Sequence, residues 1–311
     1  MIVIRDESGL PQPAIAVAAT IGVFDGFHKG HRFITESMLA EAKKRGVASL
    51  LITFDVHPKK VHAHPFSGYI THRETKLDIL RELGVDYVWY VSFDDVRGMS
   101  PEAFVAFVKK HFDLKAVVVG EDFKFGKGAQ AGVATLRTLG EKNGFVVVAP
   151  ARVDADGGEL SSTVIRDLIR KGDLDGMKAA MGRSFSVIAD VVRGIGAGQR
   201  DFHVPTANID VADRVVPPCG IYAATVVFEE AEYPAVAYLG TAPSMRDAGK
   251  PDKLILESYI FDKTFDLYGK RIEVRFHRFI RPEQIFTDQA ALSAAIHNDI
   301  AEAKKYFGIP A

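Results

Sequence analysis

A chain of 311 residues, 47% hydrophobic and 25% charged, has the balance of a soluble globular protein with room for one large or two ordinary domains. A formal charge of -1 and a pI near 6.8 give no electrostatic reason to expect nucleic acid or an anionic membrane as a partner, so any nucleotide ligand is expected to be a small molecule. The single cysteine, Cys219, excludes an intramolecular disulfide and a thiolate metal cluster, as suits a reducing compartment.

The chain opens on MIVIRDESG, with charges where a signal peptide needs its apolar core, and the run from Ala14 to Phe24 is too short to span a bilayer. The location read from this is cytosolic. Ala14 to Ile21 reads as a buried strand, and Phe33, Ile34, Met38 and Ala42 recur at helical spacing within Arg32 to Arg45. Between them lies GVFDGFHKGH, Gly22 to His31, a strand-to-helix turn. Its glycines at 22, 26 and 30 let backbone approach a ligand, and the N-terminus of the following helix favours an anion. His28 and His31 add donors, and phosphate is the natural ligand. The stretch lacks the Gly-Lys-Ser/Thr of a P-loop and the three-glycine dinucleotide pattern. As a metal motif it lacks the HExxH glutamate and any nearby cysteine.

Further strands are predicted at Ala48 to Phe54, Tyr87 to Val91, Ala116 to Val119 and Val146 to Ala149, with helices at Glu74 to Leu83, Pro101 to Phe112 and Val133 to Lys142. Ser100 caps the second of these helices, with proline in its first turn. The alternation marks a parallel sheet covered by helices, whose ligands gather at the carboxyl ends of the strands. At those ends stand FDVHP, with His57, and GEDFKFG, with Gly120 and Asp122. Taken singly, Asp122 suits a turn and His57 a surface position; sharing the edge of His28 and His31, they point to a common pocket.

LSSTVIR follows at Leu160 to Arg166. Ser161, Ser162 or Thr163 can cap a helix whose apolar face is Val164, Ile165, Leu168 and Ile169, with Arg166 on the other side. Hydroxyls, free N–H groups and a guanidinium in one turn make a polyphosphate clamp. The ordered words TIGVFDGFHKGH, TFDVHP, VGEDFKFG and LSSTVIRDLIRKGDLDGMKAAMGR resemble the adenylyltransferase module of the bacterial bifunctional riboflavin kinase/FMN adenylyltransferases, also called FAD synthetases. The resemblance implies a nucleotidylyltransferase Rossmann-like domain over residues 1–183. It implies catalytic roles for His28, His31 and Arg166. It implies ligand binding at Gly22, Phe24, Asp25, Gly26, Gly30, His57, Gly120, Asp122, Ser161, Ser162 and Thr163.

Past Arg183 the pattern becomes alternating, with strands predicted at Phe185 to Val192, Ile221 to Phe228, Ala235 to Leu239, Leu254 to Phe261 and Ile272 to Phe279. Consecutive strands without helices indicate an antiparallel barrel or sandwich over 184–311. A last helix, Gln289 to Phe307, presents Leu292, Ile296, Ile300, Ala303 and Phe307 to that sheet. Glu257 sits within LILESYIF, where a charge costs several kcal/mol unless it is paired or lies at a site. PTANI, Pro205 to Ile209, reads equally as a turn or as a pair of neutral oxygen donors, Thr206 and Asn208, of a type that suits Mg2+.

PTANI, CGIYAATV, LGTAPS, LESYIFD and FDLYGK follow the order of the riboflavin kinase module of the same family. The resemblance implies Mg2+ at Thr206 and Asn208, and Glu257 as the base for the flavin 5'-hydroxyl. The chain departs from the family pattern at His203, where glycine is usual, at Tyr238 in place of asparagine, and at Pro243–Ser244 in place of Pro-Thr. The expectation is a two-module enzyme that makes FMN and then FAD from riboflavin and ATP, with Mg2+, small-molecule substrates, and no nucleic acid or membrane partner. Two alternatives stay open: an FMN adenylyltransferase with an impaired kinase half, which a riboflavin phosphorylation assay separates, and a non-catalytic flavin-binding regulator. The state of assembly is not legible.

Overall fold

The computed structural model describes residues 1–62, 66, 68–151, 160–192, 206–211, 213–241, 254–286 and 288–310. Expectations placed on His203, Pro205, Pro243 and Ser244 lie outside the described residues. The chain divides into two compact units, Met1–Phe66 with Arg73–Ser161, and Ser67–His72 with Ser162–Ala311.

The first unit is built on a parallel sheet of six strands: β1 (Ile2–Ile4), β2 (Ile15–Ile21), β3 (Ala48–Phe54), β4 (Tyr87–Val91), β5 (Phe112–Val118) and β6 (Val146–Val148). Their order is β1-β4-β3-β2-β5-β6. Residues within each strand alternate between the two faces, and both faces are apolar, which is why the strands read as unbroken hydrophobic runs. Val17, Ala19 and Ile21 pack with Phe104, Val105 and Val108 of α5 (Pro101–His111) and with Leu136 and Leu139 of α6 (Val133–Asn143). On the opposite face, Ala18 meets Ala42 of α1 (Lys29–Arg45), while Leu51 and Val88 meet Met38 of α1 and Leu77 and Leu80 of α3 (Arg73–Glu82). Short helices α2 (Pro58–His62) and α4 (Phe93–Val96) follow β3 and β4. The chain runs from β2 through β3 to β4 on one side, then returns to lay β5 and β6 on the other. The loops after β2 and β5 therefore flank the point where strand order reverses, the place where open parallel sheets bind ligands.

Most predicted strands and helices form within a few residues of their expected ends. β5 is longer than its apolar core because Phe112 and Leu114 are buried alternately with exposed Asp113 and Lys115. β1, three residues long, carried no readable period and exists by pairing with β4 at the sheet edge.

The second unit contains α7 (Ser162–Lys171), α8 (Leu174–Met181) and a closed antiparallel barrel in the order β10-β11-β8-β7-β12-β9. Its strands are β7 (Ser186–Val192), β8 (Ala207–Asp210), β9 (Gly220–Phe228), β10 (Ala231–Thr241), β11 (Leu254–Ile260) and β12 (Arg271–Pro282). The barrel interior holds Ala235, Ala237 and Leu239 of β10, Leu256, Ser258 and Ile260 of β11, and Ile272, Val274 and Phe276 of β12. Of PTANI, weighed as a turn, Ala207 to Ile209 lie in strand β8, because the short alternation of Ala207 and Ile209 is completed by ladders to β7 and β11.

Helix α9 (Gln289–Tyr306) packs through Ile300 and Ala303, with Phe307 just beyond its end, against Ala223 and Phe261. It is further tied down by a bidentate pair between Arg281 and buried Asp299, at 2.8 and 2.7 Å. By compactness α7 and α8 belong with the barrel, and the 67–72 segment joins the same unit, where Thr71 accepts from Arg183 at 3.1 Å and Tyr69 pairs with Arg214.

Candidate active sites

In the first unit the β2–α1 turn is held from below. The Val23 carbonyl accepts from Lys76 Nζ at 2.7 Å and from Thr53 Oγ1 at 3.2 Å. Phe24 and Phe27, both nearly fully buried, then take left-handed backbone with φ of 51° and 35°. Such conformations are costly for aromatic residues and persist only where packing imposes them. Gly26, at φ 87°, takes a backbone conformation that favours glycine. Gly22 and Gly30 also have a use within the turn itself. A Cβ on Gly22 would lie 3.1 Å from the Phe24 ring, and one on Gly30 3.1 Å from His28 Nδ1. Both make room for side chains of their own turn.

His28 caps α1: its Nδ1 accepts the His31 N–H at 3.4 Å, which leaves Nε2–H as a donor. The His28 and His31 rings stack with centroids 3.7 Å apart, and Phe24 meets His31 edge-on at 5.2 Å. Burial pushes the His28 imidazole down to about 4 although Asp122 and Asp25 pull it up. His31 lies well below the usual histidine range through burial, His28 and Lys76. Both rings are therefore neutral donors at pH 7. His31 Nδ1 is buried with no hydrogen-bond partner among the described residues, and the first turn of α1 contains no acidic residue to compete for an anion.

The other motifs of this unit converge on the turn. His57 Nδ1 accepts the Lys59 N–H at 3.1 Å, which places the Nε2 proton toward Asp25 Oδ2, 3.7 Å away. Asp25 and His57 are both buried. Gly120 is bare because Asp122 Oδ1 lies 2.9 Å from where a Cβ would stand. Asp122 is close enough to act electrostatically on His28. Sequence reasoning passed over Lys76. Its signal was a basic residue at the spacing of the apolar positions Leu77 and Leu80, the buried stripe of α3.

In the second unit α7 begins at Ser162, directly after Ser161, with Thr163 exposed in its first turn. The expected sidedness is not what forms. Val164 is 39% exposed, whereas Arg166 is buried beside Ile165 and Ile169. Its guanidinium donates to the Ser162 carbonyl at 3.2 Å and to the Gly68 carbonyl at 3.1 Å, so hydrogen bonds offset the cost of covering the charge.

The barrel site is assembled by register. Glu257 stands opposite Asn208 on β8 and opposite Tyr238 on β10, so the three side chains share one face. Alternation buries Leu256, Ser258 and Ile260 and leaves Ile255, Glu257 and Tyr259 on the half-covered outer face, as expected. Thr206 Oγ1 donates to Glu257 Oε2 at 3.3 Å, and Asn208 Nδ2 donates to the Thr206 carbonyl at 3.4 Å. Burial raises the Glu257 carboxyl above its ordinary value, and the Thr206 hydrogen bond opposes this. Tyr238 donates to Glu283 and lies over Gly240, where any Cβ would collide with the phenol. Thr206 and Asn208 also line a cavity with Ser258, Lys263, Thr264 and Tyr268.

Thr206, Asn208 and Glu257 form a hard-oxygen donor set of the kind Mg2+ takes, with the Asn208 amide oxygen not committed to the Thr206 carbonyl. No group of three or more His, Cys, Asp or Glu among the described residues could hold a metal ion by itself.

Two domain families match the chain: FAD synthetase over residues 11–164 and riboflavin kinase over residues 181–307. The bifunctional riboflavin kinase/FMN adenylyltransferase of Escherichia coli K12 is 33% identical over 99% of this chain and 99% of its own. The protein of that name from Pseudomonas fluorescens is 32% identical over 92% of this chain and 91% of its own. A crystal structure described as a macrolide-efflux protein from Streptococcus pneumoniae has a TM-score of 0.81 at 24% identity, covering 98% of this chain and 99% of that one, which is a likeness of fold. No helix among the described residues is long and apolar enough to cross a membrane. With both domain families in order and full-length relatives above 30% identity, the chain belongs to the family of bifunctional riboflavin kinase/FMN adenylyltransferases, enzymes with a FAD synthetase and a riboflavin kinase domain.

Proposed function

We propose that the two reactions run on separate residue sets: riboflavin phosphorylation on the Glu257 face of the barrel, and adenylylation of FMN through the β2–α1 turn together with the SSTxxR residues. The functional modules are then 1–183 and 184–311, in a cytoplasmic enzyme whose partners are ATP, riboflavin and FMN. The observation that carries the kinase assignment is the carboxylate of Glu257 set by strand register against Thr206 and Asn208.

In the kinase reaction Glu257 accepts the proton of the riboflavin 5'-hydroxyl as that oxygen attacks the γ-phosphorus of ATP; ADP leaves with the electrons of the broken P–O bond. A carboxylate whose affinity for protons is raised by burial is a better base near neutral pH. Thr206 orients it through the hydroxyl bond, and Thr206 and Asn208 would hold Mg2+. When bound, that ion supplies positive charge against the transferred phosphoryl group.

In the second reaction a phosphate oxygen of FMN attacks the α-phosphorus of a second ATP and pyrophosphate departs. Phosphate is already a competent nucleophile, so this step needs positioning and charge stabilisation rather than a general base. His28 and His31 supply imidazole N–H donors. Ser162 and Thr163 supply hydroxyls, and Arg166 a guanidinium already oriented by the Ser162 and Gly68 carbonyls. Gly22, Phe24, Asp25, Gly26, Gly30, His57, Gly120, Asp122 and Ser161 shape the nucleotide pocket. Incubating the protein with riboflavin, ATP and Mg2+ and separating products by chromatography tests the reading: FMN and then FAD are expected. FAD formed only from supplied FMN would leave the adenylyltransferase alone.

A further inference from the structure

Lys76 has no part in the roles assigned above, yet it lies under the turn that carries them. It is 8% exposed on the core side of α3, a position where methionine or leucine would fill the space without burying a charge. Its ammonium donates at 2.7 Å to the Val23 carbonyl, which also accepts from Thr53 on β3. Val23 directly precedes Phe24, the first residue of the turn in left-handed backbone. Its position therefore sets how Phe24 meets the His31 ring.

We propose that Lys76 is a positioning residue for adenylyl transfer: it pins the Val23 carbonyl so that the turn holds His28 and His31 in place, and it supplies a fixed positive charge beneath the phosphate-binding turn. The inference rests on the reading of Gly22–His31 as a phosphate site. Asp25 of the turn and Arg73 of its own helix act on Lys76, and Lys76 acts on His31. The Arg73 guanidinium lies 4.8 Å over the Tyr90 ring of β4, and Glu74 also acts on Tyr90. Burial pushes the ammonium down to about 8, against the pull of Asp25. Both histidines are neutral at that pH, so loss of the Lys76 proton removes positive charge from the turn without compensation from either ring.

The test measures FAD formation from FMN and ATP on the full-length protein, as kcat/KM for ATP, which reports groups of the free enzyme, from about pH 6.5 to 9.5. The unmodified protein is expected to lose rate with one proton near pH 8, where Lys76 neutralises. Lys76→Arg, which keeps its charge, should retain the rate within about tenfold and abolish that alkaline fall. Lys76→Met should lose about 10²-fold at neutral pH, while riboflavin phosphorylation stays within about twofold of normal. A rate flat to about pH 9.5 in the unmodified protein, an alkaline fall unchanged in Lys76→Arg, or a Lys76→Met rate within about threefold of normal overturns the proposal. The first two readings do not depend on whether the methionine variant folds. His31→Ala, assayed alongside, separates two failures. If it also keeps its rate, the phosphate-site reading is at fault; if it alone loses rate, only the role of Lys76 is.

Discussion

The β2–α1 turn and the Glu257 face both place titratable groups under cover, and they are built in opposite ways. In the turn the groups come from one contiguous stretch, and the strained backbone at Phe24 and Phe27 aims them. On the barrel they come from strands far apart in the chain, Thr206 and Glu257 being 51 residues apart, and ordinary ladder pairing aims them. Burial drives both toward the neutral form: the His28 imidazole falls to about 4, and the Glu257 carboxyl rises. The consequences differ. A neutral imidazole remains a hydrogen-bond donor to an entering phosphate, whereas a carboxylate with raised proton affinity becomes a stronger base. A turn of donors suits a reaction that needs charge stabilisation, and a buried carboxylate suits one that needs a proton removed.

Breaking the barrel side should have the largest effect. Glu257→Gln keeps shape and hydrogen bonding but removes the base, so FMN formation should fall by about 10²- to 10⁴-fold while FAD formation from supplied FMN is unchanged. Measuring both half-reactions and Tm on one preparation checks this; an unimpaired kinase rate would remove Glu257 from the mechanism. For adenylyl transfer, His31→Ala and Arg166→Ala should each lower FAD formation by about 10²- to 10³-fold and spare FMN formation. FAD synthesis within about threefold of normal in both would remove the clamp.

The pH response sharpens the contrast. His28 has a folded-state value of about 4 against 6.5 ordinarily, so the unfolded chain binds more protons between those values. Stability is then lost as pH falls through that window, by about 3 kcal/mol for this group. His28→Asn keeps a capping acceptor but does not titrate. The drop in Tm between about pH 7 and 5 should therefore shrink in the variant, and an unchanged drop would contradict the neutral, buried imidazole.

The smallest effect belongs to a cap without chemistry. Ser100 accepts the Ala103 N–H at 3.1 Å, much as His28 accepts that of His31. Ser100→Ala should cost about 1 kcal/mol in denaturant unfolding and leave both half-reactions alone. A comparable loss of FAD synthesis there would mean that helix capping, not imidazole chemistry, underlies the sensitivity of the turn.

Local chemistry determined much of this protein before any fold was known. Unbroken apolar runs separated by amphipathic helices specify a parallel sheet with both faces covered, and the change to alternation after Arg183 specifies an antiparallel barrel or sandwich, which the strand pairing closes into a barrel. HxGH, SSTxxR and a glutamate inside an apolar strand are contiguous signals, each legible where it stands. Tertiary structure decided what depends on neighbours remote in sequence. Ala207 to Ile209 form a strand because β7 and β11 supply the hydrogen bonds, and β1 exists because β4 offers an edge. Gly22 and Gly30 serve the Phe24 and His28 rings, and Arg166 lies on the buried side of α7 because Ser162 and Gly68 offer it carbonyls. Lys76 is the clearest instance: in sequence it is one more charge on an amphipathic helix, and only the packing of α3 under the β2–α1 turn brings its ammonium to the Val23 carbonyl. Period and motif are properties of the local chain, whereas the partner of a buried polar group is chosen by the whole fold.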